Sequence, residues 1–537
     1  MKRWNGWGDE TFSMELPAFA AAYLAEKLGP GTPYADATFS EVVASVPASR
    51  LPAHPLIATD PGVRLRHARG QSLPDWVALR SGYIDAFPDG VAYPTSRADV
   101  QALLAYAQTH RVNLIPYGGG TSVVGHINPL PSDVPVLTID LSNLNGLLHL
   151  DEESRLATFG AGVLGPDLEA KLRDKGYTLG HYPQSFEYSS LGGWVATRSS
   201  GQQSYYYGRI EDLFAGGHVE TPMGPLELHP LPASAAGPDL RHVVMGSEGR
   251  LGIITDVTVR IRRQPEAESF HAAFFREWGA GAAAVRAMAQ AKIPLSMMRL
   301  SDAQETEVTL TLSGKEKLIG WADRGLNLLN YGESRCLLLY GVTGDSRLTA
   351  AALHRANSFI RQHGGLATGQ TIGKMWEHSR FRNPYLRNTL WEHGYAIDTL
   401  ETAVPWAKMP ATAAAVKEAI VQAYASVAPH EKVLVFAHLS HVYNDGASIY
   451  VTYLFRRDRD PAELLRRWHQ MKRQASEVIV AQQGTISHQH GVGMDHAPYL
   501  PTEKGKLGMT LLENTRRLFD PDGMMNPGKL LADAEEI

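Results

Sequence analysis

PYGGGTS (Pro116–Ser122) is the stretch that decides the reading, and two further glycine-bearing stretches follow it: SSLGGWVATRSSG (Ser189–Gly201) and GSEGRLGIIT (Gly246–Thr255). Glycine permits positive φ and lets a backbone approach a ligand closely, so such loops can aim several N–H groups at one diphosphate. A single glycine turn between strands is usually only a turn. Three of them in one stretch of chain together suggest a dinucleotide cradle. A Rossmann site would place GxGxxG between an early strand and a helix, with an acidic residue about 20 positions later. That arrangement is not evident here.

Outward from PYGGGTS the chain alternates between strand and helix patterns. From about Phe87 it reads VAYP, then the helical SRADVQALLAYAQTH, then VNLIPYGGGTS, an α/β unit ending in the glycine-rich turn. Strand-like PVLTIDLS and RLATFGAGV follow, then the helical PDLEAKLRDKG. These elements define a first full domain over residues 81–265. Residues 1–80 mix short helical patterns with proline-rich connections at Pro52, Pro55 and Pro61 and read as a largely helical extension without chemistry of its own. The helix GAAAVRAMAQAK, the strand CLLLYGVTG and the helix RLTAALHRANSFIRQHGG predict a second, α+β domain over 266–457. Residues 458–537 carry one more long helix and a dense histidine motif, SHQHGVG from Ser487.

A chain of 537 residues exceeds the size at which a single core keeps growing. With 44% hydrophobic and 20% charged residues it has the composition of an ordinary globular protein rather than a disordered one. The 51 basic and 56 acidic residues are spread along the chain, so no basic stripe points to nucleic acid as a partner. The single cysteine, Cys336, cannot form an intramolecular disulfide and lies in an apolar run, which fits a buried thiol in a reducing compartment. The N-terminal MKRWNGWGDE lacks a signal-peptide core and no long apolar run occurs, so a cytoplasmic location is expected.

Several side chains have the chemistry of a site. His488 and His490 stand two apart before a pair of glycines, and two imidazoles so placed suit acid/base work, a metal site or structural hydrogen bonding. Tyr450 lies in GASIYVTYLF, which alternates like a strand. A phenol can pass a proton if its pKa is lowered. Arg299 and Arg387 offer guanidinium groups that hold phosphate or carboxylate in bidentate geometry.

The glycine loops resemble those of the FAD-binding domain of the vanillyl-alcohol-oxidase superfamily, with PYGGGTS in the place of the pyrophosphate loop. Within it the chain is most similar to the alkyldihydroxyacetonephosphate synthase family. The likeness runs in order through WNGWG (Trp4–Gly8), HYPQSFEYSSLGGWVATRSSGQQSYYYGRIEDL (His181–Leu213), SMMRLSD around Arg299, FRNPYLRN around Arg387, ETAVPW at Glu401, GASIY ending at Tyr450, and SHQHGVG. The resemblance implies an α+β fold: a PCMH-type FAD-binding domain, a second α+β cap domain that takes the substrate, and a C-terminal segment completing the active site. It implies cofactor contacts at Pro116, Tyr117, Gly118, Gly119, Gly120, Thr121 and Ser122; at Gln184, Ser185, Ser189, Ser190, Gly193, Thr197, Arg198, Ser199 and Ser200; and at Glu248, Gly249, Leu251, Gly252, Ile253 and Ile254. Some members attach flavin through a histidine in the pyrophosphate loop. Thr121 occupies that place here, so the FAD is expected to be dissociable.

By the same resemblance Tyr450, His488, His490 and Arg299 are catalytic, while Arg387, Gln489 and His181 bind substrate, Arg387 through its phosphate. The activity implied is exchange of the acyl group of acyl-dihydroxyacetone phosphate for a fatty alcohol, through a flavin N5 adduct. The substrate is then a small-molecule or lipid phosphate, which leaves room for peripheral membrane contact and for a homodimer. The family's motif has three consecutive histidines where Gln489 interrupts this one. Flavin-linked D-2-hydroxy-acid dehydrogenases carry glutamate there, together with a GHxGDGNxH motif near the position of His438 and His441, and end similarly to FDPDGMMNPGKLL. The alternative expectation is therefore an FAD-linked dehydrogenase of a 2-hydroxy acid or glycerol phosphate. No metal site is expected, because Gln489 removes the anionic ligand.

Overall fold

The computed structural model describes residues 2–312 and 326–531. The helix Arg97–His110 begins where SRAD sets a capping box, with Ser96 and Asp99 satisfying each other's backbone N–H groups, a device worth about 0.5–2 kcal/mol. It packs over a four-stranded sheet ordered Ile57–Ala58, Gly90–Ala92, Val136–Asp140, Asn113–Tyr117, whose last three strands run parallel. Its apolar stripe of Val100, Leu103, Leu104 and Ala107 meets Leu114, Leu137 and Ile139 in one core. The chain then builds a five-stranded antiparallel sheet ordered Leu147–Asp151, Leu156–Gly160, Ile253–Arg260, Phe214–Thr221, Gly224–Leu228. The helices Gly165–Arg173 and Leu191–Thr197 close a second core around Phe159, Leu168, Trp194 and Val257.

The second half is organised by a seven-stranded antiparallel sheet, in the order Leu366–Gly369, Ala267–Phe275, Cys336–Gly344, Met297–Ser301, Val433–Val442, Gly446–Arg456, Tyr395–Pro405. Successive side chains alternate between its faces. Phe275, Leu300, Leu338, Leu439 and Phe455 point to a large core shared with the helices Trp278–Gln290, Ser346–Gln362, Met409–Val427 and Pro461–Ala481. Their neighbours Phe274, Met297, Leu339, Phe436 and Leu454 point the other way, beneath the helices Ala303–Leu312, Thr371–Ser379 and Asn383–Glu392. The site lies on this second face.

The two ends of the chain depart from the expected partition. The extension is not chemically idle, because Trp7, Met14 and Gln71 line the central cavity. Trp7 is locked to Asn388 by a pair of hydrogen bonds of 3.1 and 2.9 Å. The C-terminal residues return to the first domain: Met525 bridges Leu114 in parallel, and the Asn526 N–H donates to the Leu114 carbonyl at 2.8 Å. Cys336 is free and buried, and burial pushes its thiol up to about 12. Among the described residues no helix is long and apolar enough to cross a membrane.

Candidate active site

One cavity of about 1090 Å³ joins the two halves. Its first wall is made by the glycine loops. A Cβ on Gly119 would lie 1.6 Å from the Tyr188 carbonyl oxygen, and one on Gly118 would lie 2.1 Å from Ser190 Oγ, so the loops at 116–122 and 185–200 touch through bare backbone. Gly120 and Gly249 sit at φ +67° and +79°, in the left-handed region that glycine enters without cost. Pro116, Tyr117, Gly118, Gly119, Gly120, Thr121, Ser122, Gln184, Ser185, Ser189, Ser190, Gly193, Thr197, Ser199, Ser200, Glu248, Gly249, Gly252 and Ile254 all line the cavity. A trough of exposed backbone from three segments fits the diphosphate of a dinucleotide.

Three expected contacts fall elsewhere. Arg198 ends its helix at φ 56° and reaches Glu211 at 3.2 Å. Ile253 turns into the core beside Leu103 and Leu114, and Leu251 is buried off the wall. Glu248 lines the wall and also clamps the late glycines: its carboxylate accepts the N–H groups of Val492 and Gly493 at 2.5 and 2.8 Å. Asn526, which the sequence reading did not single out, donates to the carbonyls of Glu248 and His126 at 2.7 and 3.1 Å.

The seven-stranded sheet supplies the second wall. Tyr450 lies directly between Glu401 and His438 on the neighbouring strands. Its ring stacks on His438 at 5.0 Å and meets the edge of His490 at 5.6 Å. The phenol donates to Thr399 Oγ1 at 3.1 Å. Burial, with Glu401 and Asp398 nearby, raises its pKa above the ordinary value. The phenol therefore begins protonated, suited to donating rather than removing a proton, contrary to the lowered pKa a basic role would need. Arg299 donates to Glu305 at 2.7 Å, and His438 Nδ1 lies 2.8 Å from the same oxygen.

The buried Glu401 carboxylate holds the histidine motif by accepting the N–H groups of Gln489 and His490 at 2.6 and 2.8 Å. Gln489 and His490 reach the cavity, but His488 does not. Its Nε2 contacts the Tyr443 hydroxyl at 2.5 Å and its ring stacks on His441 at 5.0 Å. His181 is also displaced from the expected role: it is buried against Trp194, with Nε2 2.7 Å from Ser199 Oγ. Desolvation pushes its pKa down to about 3, so this ring stays neutral and supports a loop that lines the cavity.

Arg387 sits over the Trp76 ring at 4.3 Å, and one guanidinium nitrogen donates to the Gln71 carbonyl. Its Nε and second terminal nitrogen are buried without a hydrogen-bond partner among the described residues. Such donors are costly to leave unpaired. Donors so placed are able to take an anion.

His438 and His441 both line this wall although they are three residues apart on one strand. The pairing of that strand with Gly446–Arg456 slips between Leu439 and Val442, and the extra residue turns His441 to the cavity side. His441 Nδ1 contacts Ser204 Oγ at 3.0 Å and Ser200 Oγ at 3.2 Å. Among the described residues no group of three or more His, Cys, Asp or Glu side chains is placed to hold a metal ion.

Much of the rest of the cavity lining is apolar. Phe274, Met297, Leu337 and Leu339 line it from the strands Ala267–Phe275, Met297–Ser301 and Cys336–Gly344, and Phe436, Leu454, Ile397 and Leu390 from the strands Val433–Val442, Gly446–Arg456 and Tyr395–Pro405 and the helix Asn383–Glu392. Polar and apolar groups grade along the same strands: Tyr450 gives way to Thr452 and Leu454, and His438 to Phe436.

Residues 88–227 match the family model for an FAD binding domain, and residues 264–530 match that for the C-terminal domain of FAD linked oxidases. With the glycine trough and the polar wall of the cap sheet, these define an FAD-dependent enzyme with a PCMH-type cofactor domain, acting on a small-molecule substrate. The curated relatives narrow this. Alkyldihydroxyacetonephosphate synthase of Trypanosoma brucei brucei is 31% identical over 88% of this chain and 78% of its own length, and that of Dictyostelium discoideum is 28% identical over 99% and 94%. A solved alkyldihydroxyacetonephosphate synthase structure superposes with a TM-score of 0.84 at 25% identity, covering 98% of each chain. The chain belongs to the alkyldihydroxyacetonephosphate synthase family.

Proposed function

We propose that this enzyme replaces the acyl group of acyl-dihydroxyacetone phosphate with a fatty alcohol, forming an ether lipid precursor. The observation that carries the reading is the extensive apolar lining beside the polar wall in one large cavity: an alkyl chain needs apolar room, and a small hydroxy acid does not. The unpaired donors of Arg387 are the complement of a substrate phosphate in the same cavity. FAD would be held by the backbone of the three glycine loops and supplies an electron-poor ring able to accept and return electron density. The chain's own side chains do the rest. Arg387 orients the phosphate, Tyr450 and His490 place a hydrogen-bond donor and an imidazole beside the polar wall, and the aliphatic lining excludes water from the exchange.

The test is incubation of the flavin-loaded enzyme with acyl-dihydroxyacetone phosphate and isotope-labelled hexadecanol. Label in an alkyl ether, with release of free fatty acid, is the expected result. Persistent anaerobic bleaching of the flavin by a 2-hydroxy acid or glycerol phosphate, with an oxidised product and no ether, overturns it.

A further inference from the structure

The sequence reading assigns proton transfer to Tyr450 and the SHQHGVG motif, yet burial favours the protonated phenol of Tyr450 and His488 lies behind the wall. One pair of side chains outside those assignments has the geometry of a base. Glu305, on the helix Ala303–Leu312, is buried with its Oε1 2.8 Å from His438 Nδ1 and 2.7 Å from an Arg299 terminal nitrogen. The Arg299 nitrogen lies farther from His438 Nδ1, at 3.4 Å. The shorter contact decides the tautomer: Nδ1 carries the proton and donates it to Glu305, which Arg299 bonds on the same oxygen. Nε2 is then the lone-pair nitrogen. Among the described residues it has no hydrogen-bond partner, it is not one of the fully buried polar atoms, and the residue lines the cavity.

We infer that Glu305 and His438 form a carboxylate–imidazole pair in which His438 is a catalytic base and Glu305 its positioning residue. The role rests on the proposed ether-forming exchange. The bond from the substrate's C1 to the acyloxy oxygen breaks with its electron pair, and the fatty acid leaves as its carboxylate. The hydroxyl of the incoming fatty alcohol then gives its proton to His438 Nε2 as its oxygen forms the new bond at the vacated position on C1. The imidazolium then returns its proton to water, so the exchange closes with one acid released per ether formed.

Position supports the assignment. His438 follows Phe436 by two residues on the cavity face of its strand, where that strand's lining changes from apolar to polar. An alcohol whose chain lies on the apolar lining beside Phe436 and Leu454 would bring its hydroxyl to this point. Stacking on Tyr450 fixes the plane of the imidazole, and Glu305 fixes its rotation. Burial and Arg299 lower the His438 pKa against the opposing pull of Glu305 and Asp302, which keeps the ring a free base at neutral pH. Burial opposes ionisation of Glu305, but the Arg299 guanidinium and the hydrogen bonds from His438 and Ser301 outweigh it and hold the carboxyl below its ordinary range. An ionised carboxylate behind a neutral imidazole is the arrangement that general-base catalysis uses.

Two readouts test the pair. In the first, flavin-loaded protein is treated with diethylpyrocarbonate and the modified histidines are mapped by peptide mass. His438 should be carbethoxylated, and hexadecanol should protect it. In the second, ether formation is followed for His438→Gln and Glu305→Gln, with bound flavin confirmed by its absorbance. His438→Gln should lose about a hundredfold or more in kcat, within the range that acid/base groups supply. Glu305→Gln removes the negative charge that favours the imidazolium. Arg299, Asp302, Tyr450 and His441, which also face His438, are unchanged, so the acid limb of its pH profile should move to lower pH and kcat should fall. Wild-type turnover by His438→Gln, an acid limb unmoved in Glu305→Gln, or an unlabelled His438 each overturns the inference. If the wild-type enzyme makes no ether, the proposed function itself has failed, and the labelling experiment still reports on the free Nε2.

Discussion

Gly119→Ala is the sharpest test of how the first wall is built. The added methyl would sit 1.6 Å from the Tyr188 carbonyl oxygen, 2.7 Å from its carbon and 3.1 Å from Ser189 Cα, all of them backbone atoms. Ordinary contact begins near 3.4 Å, so the loops at 116–122 and 185–200 must part by about 1.8 Å. No side chain can rotate away to absorb this, which places the cost at the upper end of the roughly 1–3 kcal/mol typical of overpacking. Binding FAD requires the trough to close again, so the cost falls mainly on affinity. At about 1.4 kcal/mol per tenfold, roughly 3 kcal/mol is a Kd weakened on the order of a hundredfold. Titrating FAD into the apoprotein and following quenching of flavin fluorescence measures it. Gly279→Ala, whose Cβ would meet nothing closer than 3.9 Å on a helix, is the control and should bind FAD as wild type does. A Gly119→Ala protein with FAD affinity within about twofold of wild type would refute the claim that the loops meet through bare backbone.

Arg387→Met should raise KM for the phosphate substrate while leaving the flavin spectrum unchanged. The loss of one or two charge-assisted hydrogen bonds, each worth about 1.5–3 kcal/mol, sets the rise at roughly tenfold or more in steady-state kinetics. Denaturing the holoenzyme should release all flavin into the protein-free filtrate, since Thr121 stands where relatives that attach flavin carry a histidine; flavin on the washed polypeptide would contradict this. Asp495 gives a pH-dependent signature. Desolvation, with Asp398 and Asp75 near, lifts its carboxyl to about 7 despite Lys472, against 3.8 for the ordinary group. The folded protein keeps the proton between those values while the unfolded chain loses it. The residue's favourable contribution is therefore complete below about pH 4 and lost as pH rises to about 7. Asp495→Asn should match wild type in Tm near pH 4 and exceed it at pH 8, and equal Tm values at pH 8 would count against a protonated, buried Asp495.

What the sequence disclosed depended on how local each signal was. PYGGGTS and SRADV carried their structures in short range, one through glycine and the other through a capping box, and both elements form where the pattern put them. Tyr450 and Arg387 took their roles only from family resemblance, because a strand tyrosine and a helical arginine look alike whether or not they face a cavity. Arg198 and Ile253 show the limit of reading loops as blocks: each shares a segment with residues on the wall, but a left-handed cap turns one outward and strand alternation turns the other inward. His438 with Glu305 was illegible, because their contact exists only after the strands Met297–Ser301 and Val433–Val442 pair. A one-residue slip in register brings His441 to the cavity, and no composition or spacing announced it.

The return of Met525 and Asn526 to the first sheet has a bearing on how the protein is made. Asn526 fastens the carbonyls of His126 and Glu248, residues synthesised hundreds of codons earlier, so the trough cannot be fully tied together until that asparagine has left the ribosome. Domains otherwise tend to fold in order as they emerge. Here the asparagine's ties come late, so the trough is fastened only after the domain that carries it has emerged.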